Sequence, residues 1–307
     1  MSDNELFLNN ELPPPRPSVV VIPHHARRAS RFDDPMALWE LNIGEKLFLT
    51  TIPDLSRVRS KMMRKWPHAE QVIDSILNDI TMMSHNRVVA MSPTLLVGNP
   101  GVGKTSFASA LGKTLGLAPR VIGCGGISDS MFGGSNRRWS ICDAAVPVNA
   151  ICAAERANVL LILDEIEKTG TGRQNGNIID TLLGMLDPVT SKSWHDPCAE
   201  VGVDLSYLNW MFTSNDIDSL PAPFIDRCRI VRFPAPTHDH LPILVRSILH
   251  DIARSQGMRT NWIAPLAQFE LDAVANTWRT GSMRGLRRLI IGVLECRDRE
   301  VRGRPLS

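Results

Sequence analysis

The chain has 307 residues, 43% of them hydrophobic, so it can bury a substantial core, and its length suggests about two domains. It carries 34 Lys and Arg against 32 Asp and Glu, and this near-neutral balance excludes a global attraction to nucleic acid or to an anionic membrane. The longest apolar runs, such as residues 159–163, fall far short of the roughly 20 residues that cross a bilayer, and no signal-peptide core is present. We therefore expect a cytoplasmic protein that does not span a membrane.

The six cysteines show neither a metal-ligand pattern nor a disulfide pattern. None belongs to a C-x-x-C pair, and none has a histidine nearby at ligand spacing. We therefore expect no zinc site and no disulfide framework. The residues interpreted as small buried apolar side chains are Cys124, Cys142, Cys152, Cys198, Cys228 and Cys296.

The N-terminal third divides into two segments of different composition. Residues 1–35 combine a group of prolines with a cluster of histidines and arginines and show little apolar periodicity. We expect a flexible arm there, either a solvated tail or a tether for a partner. Residues 36–86 repeat apolar side chains every three to four positions, which predicts amphipathic helices leading into the main domain.

Residues 87–234 are predicted to form an α/β domain. From residue 94 to residue 233, short β-rich apolar runs alternate with helical ones. This alternation is typical of a parallel sheet covered by helices on both faces. After Pro234 only helical periodicity continues, so residues 235–307 are predicted to form a small all-helical domain.

A phosphate-binding loop is predicted at residues 98–105, which fit the pattern G-x-x-x-x-G-K-[ST] between an apolar run and a helical pattern. In this arrangement the backbone N–H groups and the helix N-terminus face the phosphates. Lys104 is expected to neutralise the charge of the β- and γ-phosphates, and Thr105 to offer a hydroxyl to magnesium. The nucleotide-binding residues expected here are Gly98, Asn99, Pro100, Gly101, Val102, Gly103, Lys104, Thr105 and Ser106.

An acidic pair, Asp164 and Glu165, ends the apolar run of residues 159–163, which suits a strand buried on both faces. Asp164 is the expected magnesium partner beside Thr105. Glu165 is expected to orient, or take a proton from, the water that attacks the γ-phosphate. The alternative interpretation is an acidic pair that caps a helix. Two intact carboxylates favour ATP hydrolysis over nucleotide binding alone.

Over about residues 65–300 the chain resembles the ATPase module of the Lon family of AAA+ ATPases. The segment D-E-I-E-K at 164–168 is close to the Lon-type D-E-I-D-K, and L-L-G-M-L-D-P at 182–188 is similar to L-L-E-V-L-D-P. The resemblance implies a P-loop AAA+ core with a parallel five-stranded sheet flanked by helices, and a small C-terminal helical lid. It also implies a homo-oligomeric ring, six-membered in this family, that hydrolyses ATP with Mg²⁺.

The same resemblance implies roles for residues outside the phosphate loop. Asn215 follows a strand-like segment, where these ATPases place the polar sensor that helps to hold the hydrolytic water. Arg284 resembles the second sensor, which the lid carries towards the γ-phosphate of its own subunit. His68 and Ile73 lie near the segment that the family wraps around adenine.

An arginine that acts across subunits is implied at Arg227. It ends the segment P-F-I-D-R, which resembles the Lon-type P-L-L-D-R and its arginine finger. A cation supplied to the neighbouring subunit's nucleotide can be worth about 10³ to 10⁵ in rate, so assembly and activity would be coupled. Arg229 is the less favoured substitute.

Two tryptophans are implied to line the pore through which Lon-type ATPases grip a polypeptide. Trp139 takes the aromatic place in G-S-N-R-R-W-S-I at 134–141, which corresponds to G-H-R-R-T-Y-I-G in that family. Ser140, the next residue, stands where that family has a hydrophobic residue beside the aromatic one. Trp194 would belong to a second pore loop. The alternative for either tryptophan is an anchor in the core or in an interface.

Because the sequence ends at Ser307, soon after the lid, we expect no proteolysis by this chain alone. The leading hypothesis is an oligomeric ATPase that remodels, unfolds or translocates protein substrates through a central pore. The alternative is a DNA-associated ATPase of loader type, in which Arg137 and Arg138 contact phosphates. A scaffold that assembles with little turnover, a metabolite kinase and a GTPase are disfavoured.

Overall fold

The computed structural model describes residues 16–26, 40–125, 132–135, 143–169, 177–259, 263–279 and 281–303. Trp139, Arg137 and Arg138 lie outside the described residues, so the pore prediction for Trp139 and the DNA-contact prediction remain predictions. Cys142 and most of the N-terminal arm also lie outside them.

The N-terminal segment contributes a small sheet before its helices begin. Strand β1 (Ser18–Val20) pairs antiparallel with β2 (Lys46–Phe48), and Val21 and Ile22 directly after β1 are buried. The flexible arm expected for residues 1–35 therefore does not extend over residues 18–22, because this run of β-branched side chains packs against the core. The helical segment expected for residues 36–86 likewise contains a strand ahead of its helices.

Two helices follow β2 and pack against the main domain. Helix α1 (Leu55–Met63) begins at Asp54, whose carboxylate accepts hydrogen bonds from the backbone N–H groups of Ser56 and Arg57. Helix α2 (Glu70–Met83) buries Ile73 with other apolar side chains of the same face. These buried faces form one core cluster with the helix that follows the phosphate loop.

The α/β domain is built on a five-stranded parallel sheet, as predicted. Its spatial order is β4–β5–β8–β3–β9, and every pairing within it is parallel. A two-stranded antiparallel hairpin, β6–β7, lies between β5 and β8 in the chain. The strands of this domain are β3 (Thr94–Val97), β4 (Pro119–Gly123), β5 (Leu160–Asp164), β6 (Trp194–Asp196), β7 (Val201–Val203), β8 (Asn209–Ser214) and β9 (Arg229–Arg232).

Helices cover both faces of the sheet, because alternate side chains of β5 are buried in two different core clusters. Leu160 and Ile162 belong to the cluster that contains α1, α2 and the helix after the phosphate loop, whereas Leu161 and Leu163 belong to the cluster on the opposite face. All four side chains are 0% exposed. The remaining helices are α3 (Lys104–Leu115), α4 (Val146–Ala154), α5 (Ile178–Leu186), α6 (Ala222–Ile225), α7 (Leu241–Ser255), α8 (Gln268–Thr277) and α9 (Met283–Gly303).

Helices α7, α8 and α9 form a separate small core, as predicted for a helical lid. Trp278, Leu286 and Ile290 are buried in it. The lid touches the α/β domain at the phosphate loop, where the backbone N–H of Met283 donates to the carbonyl of Gly101 at 2.8 Å. None of the described helices is long and apolar enough to cross a membrane.

The cysteines depart from their expected uniform burial. Cys124 and Cys152 are buried free thiols, and burial raises the pKa of each to about 12. Cys296, on the lid, is exposed. Cys198 is disulfide-bonded, so the expectation of no disulfide is wrong. Spacing along the chain could not reveal this bond, because disulfide geometry depends on proximity in the fold.

Candidate functional site

The phosphate loop joins the carboxyl end of β3 to the first turn of α3. Gly101 and Gly103 have φ angles of +82° and +100°, which only glycine adopts readily. A Cβ at Gly98 would lie 2.5 Å from the carbonyl oxygen of Phe233. The glycines of the motif therefore allow a tight backbone curl that side chains would prevent, and the curl leads into the N-terminus of α3.

Lys104 is held inside this curl and is 7% exposed. Its ammonium donates to the carbonyls of Gly98 and Asn99 at 2.6 and 3.1 Å, and to Oδ1 of Asn215 at 2.9 Å. Burial lowers the pKa of Lys104, and the neighbouring carboxylates oppose that shift. The ammonium thus rests on uncharged oxygens, which phosphate oxygens can replace with a gain in electrostatic attraction.

Asp164 ends β5 beside the phosphate loop. Its Oδ1 accepts hydrogen bonds from the hydroxyl of Thr105 and, at 2.6 Å, from the hydroxyl of Thr213. A hydroxyl and a carboxylate side by side are oxygen donors, which fit the coordination preference of Mg²⁺. The described residues contain no cluster of three or more His, Cys, Asp or Glu that could hold a metal ion. In nucleotide sites Mg²⁺ is commonly bound by one or two protein ligands together with substrate phosphates.

Glu165 adopts a left-handed backbone conformation, with φ of +56°. Such a conformation is costly for a residue other than glycine and is found preferentially at functional sites. Its backbone N–H donates to the hydroxyl of Thr213 at 3.0 Å, and its carboxylate pairs with Lys168 at 2.6 Å. Both charged groups of that pair are about half exposed, so the pair restrains Glu165 only weakly.

Asn215 follows β8, the strand between β3 and β5, and therefore lies between Lys104 and the acidic segment. Glu167 accepts two hydrogen bonds through Oε1, from the backbone N–H of Asn215 at 3.1 Å and from its Nδ2 at 2.7 Å. Glu167 is not among the site residues predicted from the sequence. The sequence feature that could have identified it is its place in the D-E-I-E-K segment, two residues after Glu165.

The phosphate loop, the acidic pair and Asn215 line one cavity of about 480 Å³, which also reaches the lid. The predicted residues that line it are Pro100, Gly101, Gly103, Lys104, Thr105, Ser106, Asp164, Glu165, Asn215 and Arg284. Sequence reasoning missed the others, which are Lys65, Trp66, Thr213, Ser247, Ile248, Asp251, Met283 and Arg287. Most of these residues come from separate segments that meet only when the lid packs over the α/β domain. For that reason no sequence motif contains them.

Trp66 and Lys65 also line the cavity, and the indole nitrogen of Trp66 would lie 3.8 Å from a Cβ at Gly103 of the phosphate loop. Trp66 is 4% exposed and packs edge-on against Phe107, with ring centroids 5.6 Å apart. The ammonium of Lys65 lies 5.2 Å from the centroid of the Trp66 ring and pairs with Asp251 of α7 at 2.6 Å. This ion pair links the segment before α2 to the lid.

The two residues predicted to contact adenine lie in different environments. His68 packs edge-on against Phe233 and His240, with centroids 5.7 and 5.9 Å away. Both of its ring nitrogens are buried without a hydrogen-bond partner in the described part of the chain. Burial, with a smaller contribution from His240, lowers the pKa of His68 to about 4. Ile73 is 0% exposed in the core and offers no surface to a nucleotide.

The three arginines considered above differ in their exposure and in their hydrogen bonds. Arg284 is exposed at the start of α9 and lines the cavity. Arg227 is exposed after α6 and donates only to the backbone carbonyl of Pro223, at 3.0 Å, within the described residues. Arg229 is engaged within the chain, where it pairs with Asp79 at 3.4 Å and donates to Ser75. Arg227 therefore has fewer interactions to give up than Arg229 before it contacts another molecule.

Trp194 begins the β6–β7 hairpin and is half-buried against the core cluster beneath it. The hairpin is fixed by buried Asp196, whose carboxylate accepts backbone N–H groups of Ala145, Cys198 and Ala199. Trp194 is thus part of a hairpin that packs against the core, and its pore role remains a prediction.

The fold and the cavity are those of a P-loop ATPase domain of the AAA type. Residues 94–235 match the ATPase family associated with various cellular activities (AAA), and the chain thus carries an AAA-family ATPase domain.

Relatives of this domain are Lon proteases. Lon protease of Nitrosococcus oceani is 34% identical over 200 residues, which are 64% of this chain and 25% of that protein. The mitochondrial Lon protease homolog of Debaryomyces hansenii is 27% identical over 266 residues, covering 82% of this chain and 24% of the relative. Lon protease homolog 2, peroxisomal, of Arabidopsis thaliana is 30% identical over 204 residues, 65% and 23% of the two chains. The chain thus spans about a quarter of the length of these relatives and resembles their ATPase region.

Proposed function

We propose that the protein hydrolyses ATP at interfaces between identical subunits of a ring, and that turnover remodels, unfolds or translocates protein substrates through a central pore. The supporting observation is that Lys104, Thr105, Asp164, Glu165 and Asn215 converge on one cavity. The relatives are named as proteases, which supports a protein as the substrate. We expect the cytoplasm as its compartment.

The phosphates of ATP would bind at the glycine loop, where Lys104 exchanges its carbonyl partners for the β- and γ-phosphate oxygens. Thr105 and Asp164 would hold Mg²⁺, which when bound neutralises phosphate charge and polarises the γ-phosphoryl group. Ser106, at the start of α3, would lie beside the same anions through its place in the first helical turn.

Glu165 is the proposed group that orients or deprotonates the attacking water, since among the described residues its carboxylate is held only by the half-exposed Lys168. Asn215 would hold that water beside the γ-phosphate. Arg284 would approach the same phosphate from the lid of its own subunit. Arg227 would come from the neighbouring subunit, because it is exposed and makes only one hydrogen bond among the described residues.

The ATPase rate of the purified protein, measured against its own concentration, tests the ring. Single-stranded DNA, double-stranded DNA and an unfolded polypeptide are added in parallel. Catalysis at interfaces predicts a specific activity that rises steeply with concentration, and a protein substrate predicts stimulation by the polypeptide. A flat specific activity contradicts catalysis at interfaces, and stimulation by DNA alone contradicts a protein substrate.

Mixing two inactive variants tests the arginine that acts across subunits. Arg227→Ala removes the cation but leaves Glu165, whereas Glu165→Gln removes the carboxylate but leaves Arg227. Mixed rings contain interfaces that hold both intact groups, so we expect turnover to return on mixing. Arg229→Ala is the matched control and should retain turnover without mixing. If Arg229→Ala is inactive alone and regains turnover when mixed with Glu165→Gln, the two arginines are wrongly assigned.

A further inference from the structure

Glu167 lies on the short 3-10 helix Ile166–Lys168 that follows the acidic pair. Its Oε1 accepts both the backbone N–H and the side-chain amide of Asn215, at 3.1 and 2.7 Å. Its other oxygen, Oε2, is buried and has no hydrogen-bond partner among the described residues. A buried carboxylate oxygen without a hydrogen-bond partner, in a segment that also carries Asp164 and Glu165, destabilises the folded protein. Stability alone therefore gives no reason to retain Glu167.

The two neighbours of Asn215 determine which way its amide points. The ammonium of Lys104 can only donate, so it must face the amide oxygen, which it contacts at 2.9 Å. A carboxylate can only accept, so Glu167 must face the amide nitrogen. Together they exclude the flipped amide. The second N–H of Nδ2 has no partner in the described part of the chain, and Asn215 lines the cavity.

We propose that Glu167 is a positioning residue, which fixes the Asn215 amide so that one of its N–H groups is presented to the reacting water or the γ-phosphate. The inference rests on the proposed role of Asn215. Glu167 need not touch the substrate itself. It acts as a hydrogen-bond acceptor of the right length, and its negative charge is not the property that matters.

Two substitutions of similar length separate the acceptor from the charge. Glu167→Gln keeps an oxygen that Asn215 can donate to, because both groups of Asn215 that face it are donors, and it removes the charge. Glu167→Met removes the acceptor as well. We expect kcat for ATP to fall about tenfold in Glu167→Met, with KM within about threefold, and to stay within about twofold of the wild type in Glu167→Gln.

A double-mutant cycle tests whether Glu167 acts through Asn215. Asn215→Ala combined with Glu167→Met should be no slower than Asn215→Ala alone, because the amide to be positioned is gone. Asp74→Ala is the matched control, since that carboxylate accepts two hydrogen bonds from Arg59 on α1 and lies outside the catalytic residues named here. It should leave kcat unchanged.

Each outcome supports or overturns the inference. If Glu167→Gln is as slow as Glu167→Met, the charge is what matters and positioning is wrong. Additive losses in the double variant also contradict it. If Asn215→Ala leaves kcat unchanged, the proposed role of Asn215 fails and this inference fails with it. If Asn215→Ala is slow but Glu167→Met is not, only the inference about Glu167 is overturned. The thermal midpoint of each variant shows whether it is folded.

Discussion

The phosphate end of the cavity and its Trp66 side are built in different ways. At the phosphate end, short segments follow three neighbouring parallel strands, β3, β5 and β8, and hydrogen bonds join them into one network around Lys104 and Asp164. On the Trp66 side, Trp66 and Lys65 come from the connection before α2, and Asp251 comes from the lid. Packing of Trp66 on Phe107 and the ion pair of Lys65 with Asp251 hold that side together.

The difference indicates which property each part controls. The charged and polar groups of the phosphate end are proposed to act on the reacting phosphate, so their loss should lower turnover more than stability. The Trp66 side buries an aromatic ring and joins the segment before α2 to the lid, so its loss should lower the free energy of unfolding and the affinity for ATP. Substitutions of Lys104, Trp66 and Lys65 test this division, and the buried ring nitrogens of His68, outside the cavity lining, provide a separate test by pH.

The largest effect is expected from Lys104→Ala. The substitution removes the buried cation of the phosphate end, and the ATPase kcat/KM should fall by about 10³-fold, equivalent to about 4 kcal/mol. Lys113→Ala, at the exposed end of the same helix, is the control and should retain activity. An equal loss in both variants would assign the effect to the helix rather than to the cation.

Trp66→Ala should lower the free energy of unfolding by about 3 kcal/mol, because a buried indole packed on Phe107 is lost. Chemical denaturation measures this effect. Trp66→Phe keeps an aromatic ring and should lose less than half as much. A large drop in kcat with stability unchanged would place Trp66 functionally with the phosphate end.

His68 should make stability depend on pH between about 6.5 and 4. Its folded pKa of about 4 is below the unfolded value of 6.5, so the unfolded chain binds a proton in this range and the native protein does not. Stability therefore falls as the pH is lowered from 6.5 towards 4, and His68 contributes no pH dependence above that range. Because His68 as a residue is only partly buried, although its ring nitrogens are buried, we expect on the order of 1–2 kcal/mol.

The difference between the wild type and His68→Gln isolates this contribution from that of the carboxylates. Unfolding free energies of both proteins are measured at pH 7 and at pH 4.5. The wild type should lose more stability than the variant. Parallel losses would show that His68 is protonated normally in the folded protein.

The smallest effect is expected from Lys65→Ala. Lys65 and Asp251 are both more than a third exposed, and such ion pairs contribute about 0.5 kcal/mol. The KM for ATP should rise by less than about threefold while kcat is retained. Asp251→Ala should behave in the same way, and the double variant should match either single variant. A loss of kcat would mean that the ion pair sets the position of the lid for hydrolysis.

The five-stranded parallel sheet and the helical lid could be predicted from the sequence, because burial on both faces of the strands and helical periodicity leave local patterns. The structure brings Lys104, Thr105, Asp164, Glu165 and Asn215 together, as the motifs indicated. The β1–β2 pairing, the disulfide at Cys198 and the burial of Ile73 were not predicted. Each depends on a partner distant in sequence, and periodicity does not identify such partners.

By itself, the sequence determined which residues meet at the phosphate end, because glycines, a lysine and two carboxylates at fixed spacing have few other uses together. The tertiary structure alone decided the rest of the site. It placed Glu167 against the Asn215 amide and brought Asp251 of the lid to Lys65. The physical reason is that hydrogen bonds and ion pairs need a partner within a few ångströms. Only packing of the sheet, the N-terminal helices and the lid supplies that distance.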